Sequence, residues 1–268
     1  MKPQTKKRFG QHFLADPSVL SRIITAAEVT PQDAVLEIGP GQGVLTEKLL
    51  GTKAQVTVIE IDWDLVAFLK QRFVAHDNFT LVEGDALKRD WAELLGPGSY
   101  KLVANLPYNI STPLFFKFLE ERQRFSTLVV MLQKEVGVRM LHSGREKPLK
   151  EYGILSVAAQ LGFEVSVVAQ VPPGAFRPPP KVDSVVLQLT PKGPLGVDET
   201  AFFRFVKNAF NQRRKLLLSR LKKEEPALVA QLSPDWVERL EGIRPENLLP
   251  SEWLELFKQF SPDGRSSG

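Results

Sequence analysis

Apolar and polar positions along the first two-thirds of the chain follow two alternating rhythms. Short runs rich in β-branched residues at 35–38, 55–59, 79–82, 100–104 and 127–132 predict strands. Apolar residues spaced three and four apart predict helices at 17–28, 44–50, 65–73, 113–121 and 134–141, before, between and after those strands. Pro17 opens the first helix, and Val19, Leu20, Ile23, Ile24 and Ala27 give it one apolar face. Strands and helices alternating in this way predict an α/β fold, a doubly wound Rossmann-like sheet with ligands at the carboxyl ends of its strands. A helix at 152–162 leads into two late strands, 163–171 and 182–189, which can add an antiparallel hairpin edge across a long proline-rich connection. From 191 onward only helix-length patterns remain, near 199–210, 213–223, 226–232, 234–240 and 251–259. The expected division is an α/β domain at 1–190 and a small all-helical domain at 191–268, ending in a loose tail.

Composition narrows the class. The 268 residues suffice for one large domain, or a large and a small one. No apolar stretch reaches membrane-spanning length. The basic start, with Lys6, Lys7 and Arg8, leads into no apolar signal core, so a cytoplasmic location is expected. The absence of cysteine excludes disulfides, thiolate metal sites and cysteine nucleophiles. The histidines, at 12, 76 and 142, have no zinc-ligand spacing, and no metal site is expected. Net charge is only +4, yet eight basic residues and no acidic one lie between Arg204 and Lys223. That cluster, with Lys207, Arg213, Arg214 and Lys215, suits either a solvated helix face or a polyphosphate backbone.

Glu37-Ile38-Gly39-Pro40-Gly41-Gln42-Gly43 joins a strand to a helix, the arrangement that brings backbone close to a ligand. Its spacing lacks the six-position dinucleotide fingerprint, and no Gly-Lys-Ser/Thr follows to hold a triphosphate. Such a turn suits an amino acid ammonium and carboxylate better than a diphosphate, with Glu37 placed to assist the ammonium. Glu60, at the next strand end, can accept from a ribose diol or simply cap a helix. Asp85, at the third, can accept from an adenine exocyclic amine, with an Ala86 backbone group beside it. Amino acid, ribose and adenine in that order describe S-adenosylmethionine better than a nicotinamide cofactor.

Asn105-Leu106-Pro107-Tyr108 ends the fourth strand, at the same sheet edge. An adenine N6 amine is a poor nucleophile, because its lone pair is delocalised into the ring. Its nitrogen becomes positive as a methyl group is transferred, so acceptors fixed nearby stabilise the transition state more than the ground state. The Asn105 side-chain oxygen and the Leu106 or Pro107 carbonyl can serve. Pro107 restricts the local backbone, and Tyr108 offers a stacking face. The plainer alternative is an asparagine-capped turn with a tyrosine packed over it. Phe176, held among prolines, either anchors a surface loop or clamps an extruded base against Tyr108. Lys181 nearby and the basic N-terminal residues can reach phosphates.

These residues, with Gly10-Gln11-His12-Phe13-Leu14 and the 176–184 stretch Phe-Arg-Pro-Pro-Pro-Lys-Val-Asp-Ser, resemble the ribosomal RNA adenine N6,N6-dimethyltransferases, specifically the bacterial small-subunit type. The resemblance covers essentially the whole chain. It implies that Gln11 and His12, with Leu14 of the same motif, close over S-adenosylmethionine. Glu60, with Ile61 beside it, binds the ribose and Asp85 the cofactor adenine. The implied cofactor set therefore comprises Gln11, His12, Leu14, Glu37, Gly39, Gly41, Gly43, Glu60, Ile61, Asp85, Ala86 and Asn105. Asn105 and Tyr108 grip the target adenine, and Phe176 sandwiches it from the other face. The implied partner is the small ribosomal subunit, with two adjacent adenosines of the 16S RNA 3′-terminal hairpin dimethylated late in assembly by a monomer. His12 departs from the family's usual asparagine and can make the contact there sensitive to pH. A DNA or large-subunit RNA adenine methyltransferase would use the same pocket, and a noncatalytic assembly factor the same fold.

Overall fold

The computed structural model describes residues 12–147 and 149–260. Its strands are β1 (Phe13–Leu14), β2 (Ala34–Ile38), β3 (Gln55–Glu60), β4 (Phe79–Glu83), β5 (Tyr100–Asn105), β6 (Phe125–Gln133), β7 (Phe163–Val171), β8 (Phe176–Arg177) and β9 (Ser184–Pro191). Seven of them form one sheet in the order β4-β3-β2-β5-β6-β9-β7. β2 pairs in parallel with β3 and β5, β3 with β4, and β5 with β6, whereas β9 runs antiparallel to β6. The chain steps outward from β2 to β4, then returns to place β5 on the other side of β2. Strand order therefore reverses between β2 and β5, and a doubly wound sheet opens a crevice at such a point. The late strands close the sheet, with β9 between β6 and the edge strand β7. β1 and β8 form a separate antiparallel ribbon that local periodicity does not announce, with Leu14 opposite Phe176.

Helices α1 (Pro17–Ala27), α2 (Val44–Gly51), α3 (Trp63–Arg72), α4 (Trp91–Leu95) and α5 (Ser111–Glu120) accompany the parallel strands. Capping fixes where they begin. The Asp16 carboxylate accepts the Ser18 N–H at 2.8 Å with Pro17 in the first turn, and Asp62 accepts the Asp64 N–H at 3.1 Å. The expected apolar face of α1 buries Val19, Leu20, Ile23 and Ala27. They join strand residues such as Val35, Val56, Val58, Val103 and Val129 in the main core, where each fully buried large aliphatic side chain contributes roughly 1.5–3 kcal/mol.

The described residues divide into two compact units. The first takes the chain up to Gly137 together with Val165–Pro191; the second takes Val138–Glu164 and the chain from Lys192 on. Residues 138–164 thus cluster with the helical part, where a single cut at 191 would not put them. The reason lies in packing: Tyr152 and Val157 are buried in the second unit's core with Phe202, Val206, Leu240 and Trp253. That unit contains α7 (Ile154–Gly162), α8 (Glu199–Asn211), α9 (Leu217–Glu224), α10 (Pro226–Val229), α11 (Pro234–Leu240) and α12 (Pro250–Lys258); α6 (Lys134–Leu141) precedes α7. No helix among the described residues is long and apolar enough to cross a membrane.

Candidate active site

A cavity of about 340 Å³ opens along the carboxyl ends of β2, β3, β4 and β5, within the usual range of small-molecule sites. Its floor is the glycine turn after β2. The Gly39 N–H donates to the Ile59 carbonyl and the Gly43 N–H to the Pro40 carbonyl, both at 2.9 Å. Gly41 has φ +58° and a side-chain carbon there would lie 2.9 Å from the Phe13 ring; at Gly43, φ is +77° and the distance to the Phe73 ring 2.7 Å. Both positions need a left-handed backbone and no Cβ.

Two carboxylates meet at this end. Glu60 Oε1 accepts from the Ile61 and Asp62 N–H groups at 2.9 Å each, and Oε2 accepts from the Gly41 N–H at 3.4 Å. Burial raises the Glu60 pKa against the pull of those N–H donors. Glu37 is fully sequestered, and burial pushes its pKa up to about 8. The Thr46 hydroxyl, donating at 2.7 Å, opposes that rise, while the Glu60 charge adds to it. An incoming ammonium would relieve this congestion of acidic groups. Asp85 lines the far wall, its Oδ1 accepting the Leu87 N–H at 2.9 Å.

The other end is built from β5. The Leu106 N–H donates to the Met131 carbonyl at 2.9 Å, anchoring the polar tetrapeptide to the neighbouring strand. The Asn105 amide nitrogen donates to the His12 carbonyl at 3.4 Å, leaving Oδ1 buried without a hydrogen-bond partner among the described residues. The Tyr108 hydroxyl shares a 2.6 Å hydrogen bond with the buried Ser184 hydroxyl. Burial holds the phenol above its ordinary pKa, with the Ser184 bond acting the other way, so it stays protonated at neutral pH.

His12, Leu14, Glu37, Gly39, Gly41, Glu60, Ile61, Asp85, Ala86, Asn105, Leu106, Pro107 and Tyr108 all line this one cavity. Gly43 does not: it packs against Phe73 and Leu69 as the residue preceding α2, so it shapes the turn rather than touching a ligand. Phe176 also departs from expectation. It is completely buried in the core beside Leu14, and among the described residues the ring stacked on Tyr108 is that of His12. Arg213 is likewise committed, donating to Glu246 at 2.6 and 2.8 Å and to the Lys150 carbonyl at 2.9 Å. Lys181, Lys207, Arg214 and Lys215 are exposed. Lys6, Lys7, Arg8 and Gln11 lie outside the described residues. Ser184 was legible only as the end of a motif; nothing local marks it as the partner of Tyr108.

A family model described as ribosomal RNA adenine dimethylase matches residues 2–259. The chain belongs to that family. Among curated relatives, the ribosomal RNA small subunit methyltransferase A of Syntrophotalea carbinolica is 50% identical over 224 residues, covering 82% of this chain and 83% of its own. The Pseudomonas fluorescens protein of the same name is 43% identical over 262 residues, covering 96% and 94%. Among solved structures, a dimethyladenosine transferase from Plasmodium falciparum matches with TM-score 0.77 and 32% identity, over 94% of this chain and 98% of that one. The 23S rRNA methyltransferase ErmE matches with TM-score 0.65 and 27% identity, over 93% and 99%. This dimethylase thus combines the Rossmann-like methyltransferase sheet and C-terminal helices of its family with a cavity whose two ends differ in chemistry.

Proposed function

We propose that this dimethylase transfers methyl groups from S-adenosylmethionine to N6 of two adjacent adenosines in the 3′-terminal hairpin of 16S ribosomal RNA, acting on the small subunit late in its assembly in the cytoplasm. The observation that carries the reading is Asn105 Oδ1, a buried acceptor with no partner among the described residues, in the cavity that also holds Glu37, Glu60 and Asp85. A buried polar oxygen left unpaired costs roughly 1–3 kcal/mol, and the amino group of a purine is a donor that would satisfy it. The small-subunit assignment rests on the likeness to relatives bearing that name.

The residues at the cofactor end fit S-adenosylmethionine. Glu37 suits the ammonium, Glu60 the ribose hydroxyls, Asp85 the adenine amine, and Leu14 and Ile61 supply apolar surface. When bound, the cofactor provides an electrophilic methyl group on a sulfonium. Asn105 Oδ1 then accepts from the amine and stabilises positive charge as it develops on nitrogen, the type of fixed acceptor that contributes most at the transition state. Tyr108 supplies a face for the base, worth roughly 1–3 kcal/mol in single-strand recognition. No strong general base is required, because the alkylated nitrogen releases its proton readily. Lys181, between β8 and β9, and Lys207, Arg214 and Lys215 on the helical unit, offer exposed positive charge to the RNA backbone.

The test is to incubate the protein with small ribosomal subunits lacking the modification and with labelled methyl donor, then map the RNA by mass spectrometry. Two neighbouring dimethyladenosines in the 3′-terminal hairpin are expected. No label, or label only outside that hairpin, would overturn the assignment, as would label confined to large-subunit RNA or DNA when these are supplied in parallel reactions.

A further inference from the structure

The acceptor suited to the cofactor adenine sits where the sheet gives it least support. Asp85 follows β4, the edge strand, which has a neighbouring strand on one side only. Its Oδ1 accepts the Leu87 N–H at 2.9 Å, so the aim of the carboxylate depends on the peptide joining Ala86 to Leu87. The carbonyl of that same peptide accepts from the Trp91 indole Nε1–H at 3.0 Å. The next carbonyl, of Leu87, accepts from Lys117 Nζ at 3.2 Å, and the same ammonium donates to the Arg89 carbonyl at 2.6 Å. That ammonium lies 5.1 Å from the centre of the Trp91 ring, within range of a cation–aromatic attraction.

We propose that Trp91 and Lys117 are positioning residues for the cofactor adenine, fixing the peptides on either side of Leu87 so that Asp85 meets the exocyclic amine. This deepens the S-adenosylmethionine reading above and rests on it. A carboxylate that accepts the N–H two residues on is an ordinary loop device. Here the peptide that supplies the N–H is itself anchored. Trp91 is completely buried at the start of α4, its ring packed against Phe118 of α5 and Phe125 of β6 with centroids 5.8 and 6.1 Å away. The indole is therefore a fixed point of the core, and its N–H ties the loop to that point. With Oδ1 held by Leu87, Oδ2 is the oxygen left for a ligand. Without the indole N–H the carbonyl of buried Ala86 loses its partner, an expensive state for a main-chain oxygen. The peptide would then turn toward water and take the Leu87 N–H off Asp85.

The test compares, by calorimetry on the full chain, the binding of S-adenosylhomocysteine and of its counterpart with hydrogen in place of the adenine amino group. The ratio of the two affinities isolates the amine contact. In the wild type it is expected to favour the amine roughly 10–100-fold, the range of a hydrogen bond to a charged group. Trp91→Phe keeps an aromatic ring without the N–H and should lower that ratio roughly tenfold, the upper range for one neutral hydrogen bond. Lys117→Met keeps the stem over the indole without the ammonium and should lower it about threefold, nearer the middle of that range. A wild-type ratio in either variant would overturn the proposal, including the case in which both affinities fall together, as they would for mere scaffolding. Lys117 is only half-buried, so Lys117→Met decides the matter if Trp91→Phe fails to fold. The underlying reading is judged on two other arms: the wild type must prefer the amine, and Asp85→Ala must lose that preference. Failure of either removes the adenine from Asp85 and the proposal with it, whereas failure in the Trp91 and Lys117 variants alone leaves the cofactor reading standing.

Discussion

The two ends of the cavity are assembled in different ways. At the cofactor end, the residues that matter follow their strands directly, and short main-chain bonds hold them. Glu60 is fixed by N–H groups of Gly41, Ile61 and Asp62, and the glycine turn closes on itself and on Ile59. At the base end, Asn105 and Tyr108 depend on side-chain contacts with distant parts of the chain, His12 on one side and Ser184 on the other. A pocket wall made of local backbone is rigid and intolerant of added volume. A wall made of long-range side-chain contacts tolerates substitution in the fold but concentrates its losses in chemistry. Changes at the first should act on stability and cofactor affinity; changes at the second should act on rate and on RNA.

The largest separation is expected from Asn105→Ala. Removing a fixed acceptor from a developing charge costs about 10²–10³ in turnover, so single-turnover methyl transfer should fall by that much. Cofactor affinity, measured by calorimetry, should change only a few-fold. A variant that transfers methyl groups at the wild-type rate would remove Asn105 from the mechanism. The counterpart at the other end is Gly43→Ala. The left-handed backbone costs a non-glycine residue about 1–2 kcal/mol, and crowding against the Phe73 ring adds about 1–3 kcal/mol. The denaturant midpoint should drop accordingly, whereas a wild-type midpoint would show that the turn yields easily.

This contrast also explains what could be read from sequence. The parallel strands, their crossover helices and the gathering of Glu37, Glu60 and Asp85 at one cavity were legible because each signal is contiguous: an apolar run, a glycine turn, an acidic strand end. Asn105 to Tyr108 stood out for the same reason. Phe176 misled because neighbouring prolines suggest a surface loop, while the direction of its side chain is set by pairing with β1. In that ribbon Phe176 turns inward and Arg177 outward, the two-residue alternation of any strand. Arg213 read as free positive charge because its partner Glu246 lies 33 residues further on. Residues 138–164 read as a continuation of the first domain, since helix periodicity does not say which core a helix joins. The five-residue α4 is too short for periodicity to reveal, although Asp90 caps it.

Glu37 offers a pH-dependent test of the cofactor end. Its folded pKa, about 8, lies above the ordinary 4.5, so the folded protein keeps a proton that the unfolded chain has released. The resulting stabilisation is complete below about pH 4.5 and is lost as pH rises toward about 8. Over that window it should contribute a slope of order 1 kcal/mol per pH unit. Thermal midpoints should therefore fall with rising pH, and Glu37→Gln, which can still accept from Thr46, should flatten the trend. An unchanged slope in that variant would assign the proton to another group.

The smallest effect probes how Tyr108 is held. A hydrogen bond between two neutral hydroxyls contributes about 0.5–1.5 kcal/mol, so Tyr108→Phe and Ser184→Ala should each lower methyl-transfer efficiency by no more than about tenfold. Their size alone proves little, because Ser184 is buried and its loss also leaves a small void. The combination is informative. If the 2.6 Å bond sets the orientation of the phenol ring, the double variant should be little worse than either single one, with a coupling energy near 1 kcal/mol. Additive losses would mean that the ring is oriented by its surroundings without help from the hydroxyl. The base end would then share the rigidity of the cofactor end.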